Sequence, residues 1–105
     1  MPAKFEVNLT REAQQDIEQI WSFISEDSPD DARRFIQQLE KQVSTLERFP
    51  ERCPLISENE LMGTRYRHLI CSNYRTVFRI SKRTVYALRV VHAARLLDPS
   101  ALDKP

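Results

Sequence analysis

The sequence predicts an α+β fold, a two-helix hairpin packed on one face of a mostly antiparallel four-stranded sheet in the order β-α-α-β-β-β. Three observations carry that reading. Apolar residues alternate at period two in "KFEVNL" near the start and again in "RYRHLI", "YRTVFRI" and "TVYALRVVH", but recur at helical spacing between Ala13 and Phe49. A single "SPDD" divides the helical stretch in two. The length, 105 residues, allows one domain over 1–105 with one modest core.

In the first strand Phe5, Val7 and Leu9 face one way and Lys4, Glu6 and Asn8 the other. Thr10 ends the alternation and is placed to cap a helix, with Glu12 in the first turn, where the helix dipole favours an anion. Ala13, Ile17, Ile20, Trp21 and Ile24 make one apolar stripe, so the first helix is expected to run to about Glu26. Ser28 then caps a second helix, Pro29 suits its first position, and Asp31 makes a variant of the capping box. Ala32, Phe35, Ile36, Leu39, Val43, Leu46 and Phe49 keep the helical period until Pro50 ends it. Residues 50–64 hold two prolines and the chain's single glycine, Gly63, and read as a long irregular loop. Three strands joined at "CSN" and "SKR" then form an antiparallel meander. "HAARLL" is expected to make one short helical turn, within a tail over 93–105 that frays. In this arrangement Trp21, Phe35, Leu39 and Leu46 meet Phe5, Val7, Phe78, Ile80, Leu88 and Val90, and the opposite sheet face is left to arginine and polar residues.

The formal net charge of +1 hides a division. Residues 1–60 carry seven Lys/Arg against thirteen Asp/Glu, net −6, whereas residues 61–105 carry nine against two, net +7. Eight of those nine cations lie between Arg65 and Arg95, which suits an anionic partner, either nucleic acid or an acidic protein segment. No run approaches the ~18 apolar residues that would span a bilayer. The first residues lack a basic start followed by an apolar stretch, so the cytoplasm is the expected address, with no membrane partner. Cys53 and Cys71 fit neither a metal spacing nor a disulfide framework and read as reduced thiols. No phosphate loop, nucleophile elbow or zinc pattern occurs, and neither cofactor nor metal is expected.

Arg75 and Arg79 share one strand face with Val77 between them, and Arg65, Arg67 and Arg89 are expected to gather with them. An arginine fork donates paired hydrogen bonds to phosphates or carboxylates; the alternative is that the stems shield a bare sheet face. His92 ends the last strand with Arg95 three residues on. It is placed either as an acid or base on a phosphodiester or as a histidine bonded to backbone at a strand end. His68 falls at a strand edge with nothing to pair with. Tyr66, Tyr74 and Tyr86, interleaved with the arginines, suit base stacking as well as plain strand preference. Glu26, Asp27, Asp30 and Asp31 read as capping and solvated charge rather than a metal site.

The segments "VNLTREAQQDIEQIWSFI", "SPDDARRFIQQLEKQVSTLERFP", "YRHLICSNYRTVFRI" and "VYALRVVHAAR" cover nearly the whole chain. In this order they resemble the RelE/ParE superfamily of toxins from type II toxin–antitoxin systems, which include plasmid-stabilisation systems. The resemblance implies a toxin held in a hetero-oligomer by a ParD/RelB-like antitoxin whose flexible acidic or amphipathic segment wraps it. The RelE-like branch cleaves mRNA in the ribosome, which would place Arg75, Arg79 and His92 as catalytic residues. Ala93 and Ala94, however, stand where such enzymes tend to carry an aromatic. The ParE-like branch inhibits DNA gyrase with no catalytic set of its own, and "YRTVFRI" with "VVHAAR" looks closer to it. On that reading Arg65, Arg67, Tyr74, Arg75, Arg79, Arg89, Arg95, Leu96 and Leu97 bind antitoxin or target. A third reading is a degenerate member that binds its antitoxin without being toxic.

Overall fold

A computed structural model describes residues 4–97. The expected order of elements is found: β1 (Glu6–Leu9), α1 (Arg11–Asp27), α2 (Pro29–Ser44), β2 (Arg67–Cys71), β3 (Tyr74–Ser81) and β4 (Thr84–His92). Both helix starts form as their residues dictate. The Thr10 hydroxyl accepts the Ala13 N–H, the Ser28 hydroxyl accepts the Asp31 N–H, and Pro29 takes the first helical position, where its missing N–H costs nothing. The second helix is shorter than its apolar period: α2 closes at Ser44, and a 3-10 turn carries the chain through Glu47. A second 3-10 turn, Pro50–Arg52, and a one-turn helix α3 (Asn59–Met62) lie within the stretch expected to be irregular.

The strands order as β1-β4-β3-β2. β1 runs parallel to β4, and the other two pairs are antiparallel. In β3 against β4 the register shifts between Val77 and Phe78: Val77 faces Arg89 and Phe78 faces Ala87, so Leu88 is an extra residue. This bulge brings Ala87 and Val90, three residues apart, to the same face, and it ends simple alternation in β4.

On the helix side, Ile20, Phe35, Leu39, Cys71 and Val90 form one buried cluster, and Leu46, Phe78 and Val85 another. Trp21 is not among them; it is 39% exposed, because Ile20 takes the inward position and the next residue turns about 100° away. The second sheet face is not the open polar surface expected. Residues 54–66 cross it and residues 95–97 return over it, burying Ile56, Val77, Val91 and Leu97 together with Met62 and Tyr66 at the margin. Asn59 fastens that crossing: its amide donates to the Tyr66 carbonyl and its Oδ1 accepts from Thr64 and from the Tyr66 N–H. Gly63 caps α3 at φ 65°, a left-handed conformation that suits glycine. The helical turn expected at "HAARLL" is absent; a turn at Ala93 and Ala94 closed by the Arg95 N–H on the His92 carbonyl leads into chain without regular secondary structure. The rest of the expected tail, 98–105, lies outside the described residues.

Candidate functional site

Covering the second face changes the meaning of Arg75. Its side chain is 5% exposed, and its guanidinium pairs with the equally buried Glu58. Nη2 donates to Glu58 Oε2 and, at 2.8 Å, to the Arg95 carbonyl; Nη1 lies 3.4 Å from Glu58 Oε1 and 3.1 Å from His68 Nδ1. Glu58 Oε2 also accepts the Leu97 N–H at 3.0 Å. These bonds, led by that from Arg75, hold the Glu58 carboxyl well below the usual range, at about 2, despite its burial. Burial first, and the neighbouring guanidinium second, push the His68 pKa down. The imidazole is therefore neutral at pH 7 and its Nδ1 accepts from Arg75. His68, which the sequence left without a partner, belongs to this network.

The other arginines are dispersed rather than gathered. Arg67 donates to the carbonyls of Glu51 and Cys53, tying β2 to the second 3-10 turn. Arg79 lies over the Tyr86 ring at 4.3 Å, with its Nε buried and without a partner among the described residues. Arg65 is exposed. Arg89 sits beyond Leu9↔Ala87, the last pair β1 makes, and turns round that open edge to Asp16 of α1, with bonds of 2.7 and 2.9 Å. Asp16 Oδ2 also accepts the Val90 N–H, so one carboxylate caps the edge of β4 where β1 has stopped.

Asp16 and Arg89 form one wall of a cleft of about 210 Å³ at the end of β4, with Phe23, Tyr74, His92 and Arg95 around it. Tyr74 lies between the Phe35 and His92 rings, with centroids at 5.2 and 5.6 Å. His92 is exposed, and its Nδ1 accepts the Ala94 N–H, the backbone-bonded arrangement that was the alternative to acid–base duty. Phe23, 68% exposed, and Leu96, 75% exposed, are apolar groups left in solvent. The cleft thus brings together Tyr74, Arg89 and Arg95 of the expected binding set; Arg75 is buried against segment 95–97, and the Leu97 side chain is itself buried.

A second concavity, of about 480 Å³, opens between β1 and the helical hairpin. Val7, Leu9, Ile17, Ile36 and Val43 line it, and Glu18 and Glu40 stand among its polar residues. The sequence reading assigned no residue to this groove. Its walls follow from two apolar stripes that are wider than the contact between the helices.

Glu58 and Asp16 were not singled out from sequence. Asp16 carried a signal: it stands on the stripe of Ala13, Ile17 and Ile20, where a carboxylate is out of place unless a cation meets it. Glu58 carried none, since its partner lies across a loop with no periodicity. Among the described residues no cluster of histidine, cysteine and carboxylate side chains is arranged to hold a metal. Both cysteines are free thiols, pushed up in pKa by burial.

The model of the family described as the ParE toxin of type II toxin–antitoxin systems, parDE, matches residues 7–97. Among solved structures, the chromosomal ParDE system from P. aeruginosa superposes with a TM-score of 0.68 at 21% identity, over 85% of this chain and 96% of that one. The toxin–antitoxin complex RelBE2 from Mycobacterium tuberculosis gives a TM-score of 0.58 at 25% identity, over 89% and 95%. No curated protein matches.

Proposed function

Because this chain belongs to the ParE toxin family of type II toxin–antitoxin systems, we propose that it arrests growth by binding and inhibiting DNA gyrase and is neutralised by a cognate antitoxin. The observation that carries this reading over mRNA cleavage is the burial of Arg75. A phosphate-holding arginine must reach its substrate, whereas both arms of this fork are already engaged by Glu58, His68 and the Arg95 carbonyl. His92, the other residue a nuclease would need, has Nδ1 engaged by backbone. Binding then falls to exposed groups: Arg95 and Phe23 supply charge and apolar area at the β4 cleft, and Leu96, next to Arg95 in the chain, adds exposed apolar area.

The groove beside β1 is the antitoxin's place in this proposal. Its apolar walls fit one face of an amphipathic segment, and Glu18 and Glu40 call for basic residues flanking that face. Ordering such a segment on the toxin offsets its entropy with buried apolar area, the usual pattern of folding on binding.

Expression of the chain alone in bacterial cells, with reporter-plasmid topology and mRNA 5′ ends read together, tests the proposal. Plasmid relaxation with intact mRNA, reversed by co-expressed antitoxin, is the expected result. Codon-phased cuts in ribosome-bound mRNA with normal plasmid topology would replace it with the RelE-like reading, and absence of growth arrest would favour a member that only binds antitoxin.

A further inference from the structure

Arg95, Leu96 and Leu97 carry no secondary structure, yet they are fixed at three points. The Arg95 carbonyl accepts from Arg75 Nη2, the Leu97 N–H donates to Glu58 Oε2, and the Leu97 side chain is buried against Ile56, Val77 and Val91. With Leu97 anchored inward, 7% exposed, the neighbouring Leu96 is 75% exposed and Arg95 is also in solvent.

A buried ion pair is a poor way to gain stability, since apolar residues of similar volume do as well or better. What a Met and a Leu could not do here is bind backbone: they offer no acceptor for the Leu97 N–H and no donor for the Arg95 carbonyl. The pair is also shared between two distant segments. Glu58 comes from the crossing over 54–66, where Ser57 Oγ donates to its Oε1, Arg75 comes from β3, and His68 of β2 holds the other arm of the fork.

The geometry points to Glu58, Arg75 and His68 as a latch, three positioning residues that hold segment 95–97 down so that Arg95 and Leu96 face the toxin's target. This deepens the reading proposed above and rests on it for the identity of the target. The latch itself is a property of the free protein.

The test uses the full chain carrying Glu58→Leu with Arg75→Met, which removes both charges together and so leaves neither buried alone, and Glu58→Gln as the conservative variant. Amide hydrogen exchange of Leu97 is compared with that of Val90, whose acceptor is Asp16 and not the latch. In the double variant Leu97 exchange is expected to rise about tenfold or more while Val90 changes by less than about twofold, a local rather than global opening. Gyrase inhibition should weaken about tenfold, with antitoxin affinity kept within about threefold, because the groove lies on the other side of the sheet. In Glu58→Gln, whose amide oxygen still accepts, much of the Leu97 protection should return. Wild-type protection of Leu97 in the double variant overturns the latch. A freed Leu97 with undiminished inhibition overturns its positioning role. Where the wild-type chain itself leaves gyrase unaffected, the target reading fails, and the exchange experiment alone decides the latch.

Discussion

At the scale of single residues, the molecule turns on two buried or half-buried ion pairs that join its acidic half to its basic half. Replacing Glu58 by Ala strands the Arg75 charge in the interior and is expected to cost about 3–5 kcal/mol in urea denaturation, more than an ordinary core truncation of similar size. The pair also fixes a pH dependence. The Glu58 carboxyl titrates at about 2 when folded against 4.5 ordinarily, so its contribution, on the order of 3 kcal/mol, is complete above about pH 4.5 and is lost as pH falls toward 2. The neutral His68 acts in the same direction from a higher starting point: the unfolded chain takes up a proton below about 6.5 where the folded one resists it, so stability begins to fall there on acidification. A denaturation series from pH 8 to pH 3 should be flat at first and then decline, and His68→Gln should remove the early part of the decline. Asp16 is the second such residue. Asp16→Asn keeps an acceptor for the Val90 N–H but not the charge for Arg89, and is expected to cost about 1–2 kcal/mol, with Asp16→Ala costing more.

At the scale of elements, the helix starts were legible because capping is local: Thr10 and Ser28 each bond an N–H three residues on, and truncating either to Ala should cost about 1 kcal/mol. The hairpin turns were legible as turns but not in their strain. Ser72 and Lys82, the first residues of the two tight loops, adopt φ of 57° and 56°, which an L residue adopts at a cost. Lys82→Gly should therefore stabilise the protein, by about 0.5–1 kcal/mol, against the usual effect of adding glycine. The β4 bulge was not legible, because an extra residue in a run as apolar as "ALRVV" leaves no mark in composition; it surfaces once Phe78 is seen opposite Ala87. Nor was the crossing over 54–66. Its apolar residues come as two short pairs, Leu55–Ile56 and Leu61–Met62, separated by the polar run 57–60, which fits neither a strand nor a helix period, so periodicity gave no hint that Ile56 and Met62 cover a sheet face. That omission explains the misplacement of Arg75: strand alternation put it on the correct face, but not under a cover.

At the scale of the whole molecule, the sequence's charge division does not become one basic surface. Arg75 and Arg89 are occupied by carboxylates from the first sixty residues, Arg67 by carbonyls and Arg79 by a ring. In the function proposed above, partners use two regions, an apolar groove with acidic residues beside β1 and a cleft at the end of β4 with Arg95 and exposed Phe23, next to which Leu96 is also exposed. Separate regions allow an antitoxin to be bound without directly occupying the target surface, and variants such as Ile36→Glu in the groove and Arg95→Glu at the chain end should weaken antitoxin binding and toxicity respectively, each with less effect on the other. The most direct test of the account is supercoiling of relaxed plasmid by purified gyrase titrated with the antitoxin-free protein. Inhibition or trapped DNA cleavage that Arg95→Glu weakens and antitoxin reverses is the result expected. Full supercoiling activity at saturating folded protein would contradict it.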